Sequence, residues 1–359
     1  MNNNRLKLNC VAIGSMPHKD LQEAFELIIN TFRDIPFWPQ MSKISKNEDM
    51  IIQFTENMPA YFADKSFMDM DYDNFYNDLE NFFLDYETII SGGDVSGELL
   101  EKYAISTNAS CAFPKLIEYI KKAKTDFAKG QIVGPFTLAT TLVDKSGKCA
   151  IYDDTLKEII IKTLSLKAIW QIKKMQEANP DITPIIFIDE PSISQLGTSA
   201  YVSISEDEVL NMIKEVSDTI KENGALSAIH CCGKCDWKVP IECEVNMLNL
   251  DAYSFAQNLS VYSKSVKKFL ENNGKIVWGI VPTLDKDALE KADIDIIEKH
   301  FNKAVKYLTN KGINEKLIID NSLVSTSCGA GSLTIELANK AFKLTKEISD
   351  RLQERYNDI

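Results

Sequence analysis

The stretch Pro184-Ile185-Ile186-Phe187-Ile188-Asp189-Glu190-Pro191 decides the fold. It is a short apolar run that a proline stops, so it reads as a strand. Long amphipathic segments flank it at 154–178 and 206–223, and both read as helices. The same alternation continues outward in both directions. Apolar runs recur at 7–15, 36–41, 130–136, 227–233, 245–253, 275–283 and 317–325. Helical patterns recur at 261–272, 294–311 and 332–356. Strand and helix in alternation imply a parallel sheet. Eight candidate strands in 359 residues suit a (β/α)8 TIM barrel formed as one domain over residues 1–359. An open doubly wound sheet is the alternative. No G-x-G-x-x-G follows any strand, which weakens a dinucleotide-binding reading. Residues 54–107 break the alternation and are rich in Asp, Tyr, Phe and Met, as in Phe67-Met68-Asp69-Met70-Asp71-Tyr72-Asp73. They read as an inserted helical lid or cap.

Composition narrows the class. With 45% hydrophobic and 26% charged residues, 15 Gly and 11 Pro, the chain is an ordinary globular protein with ample core. Collagen-like, disordered and coiled-coil classes are excluded. No stretch approaches about 18 uninterrupted apolar residues, so no membrane span is expected. Met1-Asn2-Asn3-Asn4-Arg5 has no signal-peptide hydrophobic region, and a cytoplasmic location is expected. A formal charge of −12 argues against nucleic acid and anionic membranes as partners. Eight cysteines stand beside three histidines. In a leaderless chain these cysteines are core residues, metal ligands or nucleophiles rather than disulfides.

Position decides among those roles. In barrels of this type the active site lies at the carboxyl ends of the strands. Those ends here carry Ser15, Asp189-Glu190, His230-Cys231-Cys232-Gly233-Lys234-Cys235, Asp251 and Ser327-Cys328-Gly329. On a strand, residues i and i+2 face the same side, so His230 and Cys232 can face the mouth while Cys231 faces away. Neutral imidazole and thiolate are ligands that zinc takes at about 2.0–2.3 Å. Buried free cysteines beside a hydrogen-bonded histidine, or a redox dithiol at Cys232-x-x-Cys235, are the competing readings. Cys328, past the last strand, is the natural third ligand. Asp251, at the next strand end after His230, is the first choice for a fourth, with Cys235 in reserve. Glu242, Cys243 and Glu244 precede that strand and fall at the wrong end.

Asp189, with Glu190 beside it, can hold a substrate ammonium group. Ser15 and the backbone after Gly14 can hydrogen-bond a substrate carboxylate. His18 has only a weak case, and His300 sits mid-helix and reads as a surface residue.

Taken in order, Ile13-Gly14-Ser15-x-Pro17, Lys129-Gly130-x-x-x-Gly134-Pro135, Asp189-Glu190-Pro191, His230-x-Cys232-Gly233 and Ser327-Cys328-Gly329 resemble the catalytic half of the cobalamin-independent methionine synthases. They also resemble the wider superfamily of uroporphyrinogen decarboxylase and the corrinoid-dependent thiol methyltransferases. The resemblance implies a (β/α)8 barrel holding one zinc through His230, Cys232 and Cys328. It also implies amino-acid binding by Ile13, Ser15 and Asp189. In the methionine synthases a glutamate on the following strand completes the zinc site, and Asp251 is the nearest counterpart. Their seventh strand supplies a histidine, whereas this chain has Gly279-Ile280-Val281-Pro282-Thr283, closer to the other branches.

The expected activity is zinc-dependent methyl transfer to a small thiol, with homocysteine the expected acceptor and Asp189 orienting it. The donor is expected to be methylcobalamin, carried by a corrinoid protein, or methyltetrahydrofolate. The full-length synthases have a second barrel that helps hold folate, and its absence favours the corrinoid. A tetrapyrrole-type decarboxylase needs arginines at the site, and none of Arg5, Arg33, Arg351 and Arg355 stands in a strand-end motif. A zinc-binding corrinoid-partner protein without turnover is the third reading.

Overall fold

The computed structural model describes residues 3–356. Nine strands occur in chain order: β1 Cys10–Val11, β2 Tyr61–Phe62, β3 Phe67–Met68, β4 Phe127–Val133, β5 Thr183–Asp189, β6 Leu226–Cys231, β7 Met247–Asp251, β8 Lys275–Val281 and β9 Ser322–Thr326. Seven of them form one curled sheet in the order β1-β9-β8-β7-β6-β5-β4, every neighbour parallel. Helices Asp154–Ala178, Glu206–Glu222 and Ile335–Tyr356 connect or cover these strands, as α/β alternation requires. No helix among the described residues is long and apolar enough to cross a membrane.

The alternation of strand side chains divides the core into two layers. Ile13, Phe187, Ala228, Met247, Val277 and Leu323 pack together on the concave side of the sheet. Ile186, Ile188, Ile229, Leu248, Ile276 and Val324 point outward and join the larger cluster beneath the helices. One strand therefore feeds two cores, and neighbouring residues meet different environments.

Among the described residues the sheet has no regular eighth strand. The apolar run at 36–41 touches both sheet edges only through isolated parallel bridges, Phe37 to Lys129 and Gln40 to Ser15. Pro36 and Pro39 lack N–H groups, so a continuous ladder cannot form there. Its remaining groups still pair: Lys129 N donates to Pro36 O at 2.8 Å, and Gln40 N to Gly14 O at 3.1 Å. The run at 317–325 also divides. Asn314 caps helix Glu315–Asp320 by accepting from Leu317 N at 3.2 Å, and β9 begins only at Ser322.

Residues 54–107 are not purely helical. They contain the antiparallel β2–β3 hairpin as well as helices Phe75–Ile90 and Glu98–Glu101. The segment packs on the outside of helix Asp154–Ala178, where Lys162 lies over the Tyr86 ring at 5.0 Å and Lys167 donates to Ala104 O at 3.0 Å.

Candidate metal centre

The unusual residues converge at one end of the inner core. β6 delivers His230 pointing inward, and Cys232 follows just past the strand end. Across the mouth, the loop after β9 delivers Cys328. One ligand atom from each of His230, Cys232 and Cys328 lies within 4.8 Å of the other two.

Neighbouring strands hold these groups in place. His230 is 3% exposed. Its Nδ1 lies 2.5 Å from Asn249 Oδ1 on β7, while its Nε2 is buried with no partner. Thr283, beyond β8, grips the backbone of Cys328 on both sides. Its hydroxyl accepts from Cys328 N at 2.9 Å and donates to Cys328 O at 2.9 Å. Gly329 lets this loop approach β1, since a Cβ there would stand 2.0 Å from Ser15 Oγ. Ser15 completes the seam by accepting from Ala330 N at its carbonyl and from Gly331 N at its hydroxyl.

Electrostatics tie the three groups together. The hydrogen bond from Cys328, aided by the neighbouring His230, brings the Cys232 thiol down to about 4 against the opposing effect of burial. Cys328, hydrogen-bonded to the Cys232 sulfur and itself buried, is pushed up. Burial works to lower the His230 imidazole, but the adjoining Cys232 sulfur and the charge of Asp189 outweigh it and raise it to about 9.

A cavity of 210 Å³ opens onto this cluster. Ile13, Ser15, Asp189, His230, Cys232 and Cys328, all singled out in the sequence, line it. Asp189 ends β5 and is 6% exposed, with Oδ1 lacking any partner. Burial raises its carboxyl to about 6, against the pull of the His230 and Lys129 charges. Larger hollows of 480 and 650 Å³ lie in the inserted segment and at the opposite ends of the strands, and none of the predicted site residues lines them.

Several expectations are corrected. Glu190 does not line the cavity. It points the other way, accepting from Phe136 N and Thr137 N at 2.9 Å each and from Thr137 Oγ1 at 2.6 Å. It thereby satisfies the orphan amides at the start of helix Pro135–Thr141. Asp251 stands outside the three-residue group and caps the next helix by accepting from Ser254 N at 3.0 Å. Cys235 is also outside the group, and a hydrogen bond with Cys231 is the largest cause pushing its thiol up. Gly14 lies beside the cavity without lining it. The inserted segment 54–107 does not cover the cavity. That wall comes from the preceding loop, through Gln40, Ser42, Glu48, Asp49 and Met50. His300 is half-buried, stacked on Tyr253 with ring centroids 4.0 Å apart.

Three further positions had no role assigned from the sequence: Asn249, Thr283 and Lys129. Lys129 is wholly buried inside the sheet, bonded to Ile13 O and Gln131 Oε1 and lying 4.7 Å from the Phe187 ring centroid. Burial lowers its ammonium to about 7, with the Asp189 charge acting against that. A lysine within a buried apolar strand is the signal that could have revealed it.

The donor set fits a metal ion. Two sulfurs and an imidazole nitrogen form a soft ligand group, and the orphaned Nε2 lacks the partner that a buried polar atom ordinarily has. No protein-family model and no curated protein matches the sequence. Among solved structures, a chain from Coccidioides immitis assigned as a fructose-1,6-biphosphate aldolase is similar at 13% identity. The match covers 68% of this chain and 85% of that one, with a TM-score of 0.25. So slight an overlap bears on neither fold nor activity.

Proposed function

We propose that the chain is a zinc-dependent thiol methyltransferase built on a single (β/α)8 barrel, with segment 36–41 serving as the second strand. The bridges from that segment to both sheet edges support the closed barrel. The observation that carries the function is the meeting of His230, Cys232 and Cys328 in a cavity that also presents an unpartnered Asp189 oxygen.

In this reading His230, Cys232 and Cys328 hold zinc. Bound zinc would deprotonate a substrate thiol, otherwise mostly protonated at pH 7 with a pKa of about 8.5, and keep its sulfur nucleophilic. The chain's own residues do the positioning. Asp189 accepts from the ammonium of an amino thiol, which satisfies its free oxygen and draws the carboxyl towards its charged form. Ser15 and Ile13 form the facing wall. Its hydroxyl reaches the substrate's polar end, while the isoleucine and Met50 exclude water. Homocysteine fits these requirements. The donor carries an electrophilic methyl group, on a corrinoid or on tetrahydrofolate.

The test is methyl transfer by the zinc-loaded protein. Homocysteine is offered with methylcobalamin and, separately, with methyltetrahydrofolate, and methionine is measured. Turnover with either donor, abolished by Cys328→Ala, is expected. Zinc-loaded protein that forms no methionine from either donor would overturn the assignment of homocysteine methylation.

A further inference from the structure

The partner of His230 is an amide, and its orientation is not free. Asn249 is fully buried on β7, in register with His230 on one side and Val277 on the other. Its Nδ2 lies 2.9 Å from Val277 O and 2.9 Å from Ser325 Oγ. A backbone carbonyl can only accept, so the amide nitrogen must face Val277. Oδ1 is then the atom that faces His230, 2.5 Å from Nδ1. An amide oxygen can only accept, so Nδ1 must carry a proton, and Nε2 is the ring atom that can give a lone pair to a metal, releasing its proton on binding. That Nε2 is the buried atom without a hydrogen-bond partner among the described residues, on the ring that stands in one group with Cys232 and Cys328.

We propose that Asn249 is a positioning residue that fixes the tautomer and aim of His230, presenting Nε2 to the metal. The proposal rests on the zinc reading above. It adds that the histidine is set by a neutral group rather than a carboxylate. Two thiolates and a neutral imidazole then balance a divalent ion, and the partner brings no further negative charge. Outer hydrogen bonds of this kind are worth about 10–100-fold in metal affinity.

The test is a double-mutant cycle on zinc affinity, read by competition with a chromophoric chelator. The proteins are wild type, Asn249→Leu, His230→Ala and the double variant. Zinc should bind Asn249→Leu about 10–100-fold more weakly than wild type. In the His230→Ala background the same substitution should change affinity less than about twofold, because it acts through the histidine. Equal affinity of wild type and Asn249→Leu would overturn the proposal. So would an equal loss in both backgrounds, which a merely structural role produces. If Asn249→Leu shows no cooperative unfolding transition, Ser325→Ala replaces it in the cycle. That change removes one acceptor of the amide and should weaken binding a few-fold only while His230 is present. A wild type that binds no zinc overturns the metal reading itself, a result separate from any difference between variants.

Discussion

The inner and outer faces of the sheet carry the same residue types with opposite fates. Asp189 and Glu190 are consecutive buried carboxylates. Asp189 faces the inner cavity with an oxygen to spare, whereas Glu190 faces the helix layer with both oxygens engaged. Cys232 and Cys231 divide in the same way. Cys232 joins His230 and Cys328 in the group that could hold a metal, and Cys231 is buried in the outer core. Residue chemistry therefore does not assign a role here. The two-residue period of the strand does, because it decides which core a side chain enters.

Breaking that comparison at Cys232 should have the largest effect. If the proposed methyl transfer holds, Cys232→Ala is expected to lower it by about 10³-fold or more, since several kcal/mol of metal-derived stabilisation would be lost. Cys231→Ala should leave the rate within about twofold, because its sulfur takes no part in the cluster. Steady-state rates of the two purified variants decide the matter.

The carboxylate pair sharpens the contrast. Asp189→Asn would remove the charge-assisted hydrogen bond to the ammonium of the proposed substrate, worth about 1.5–3 kcal/mol. KM for an amino thiol should rise about 10–100-fold. Glu190→Gln should leave KM nearly unchanged. A similar rise for both would erase the distinction between the faces.

The outer face should instead answer in stability. A Cβ at position 134 would stand 2.0 Å from Glu190 Cδ. Gly134→Ala is expected to cost about 3 kcal/mol in urea unfolding through overpacking. Burial also raises the Glu190 carboxyl from 4.5 to about 7. Between those values the folded protein keeps a proton that the unfolded chain has lost, so this contribution falls as pH rises through about 7. Glu190→Gln should flatten the stability profile between pH 5 and 8 by about 2 kcal/mol. An unchanged slope would contradict the assignment.

Much of this arrangement was legible in the sequence, and the limits have physical causes. The helix at Asp154–Ala178 matches its expected bounds, and the apolar runs from 184 onward each overlap a strand. Parity alone placed His230 and Cys232 on one side and Cys231 on the other. The same rule would have turned Glu190 away from Asp189, but both were assigned to the site because both are acidic. Segment 36–41 looked like a strand because its side chains are apolar, while its prolines remove the donors that a ladder needs. Asn249 was missed because an amide carries no charge and matches no ligand motif. Its role arises only when four strands stand side by side. The loop at 40–50 that walls the cavity has no periodicity to read, and its place depends on the tertiary fold. Asp251 and Cys235 had suitable chemistry for a fourth ligand, but the first caps a helix and the second hydrogen-bonds with Cys231.

The proposed function stands on one metal held among the three inward-facing residues His230, Cys232 and Cys328. Elemental analysis of protein purified without chelator tests it most directly, with wild type compared against Cys232→Ala, Cys328→Ala and Cys231→Ala. About one zinc per chain is expected in wild type and Cys231→Ala, with loss of the metal in the other two. No metal in wild type, or full retention in Cys232→Ala and Cys328→Ala, would contradict it.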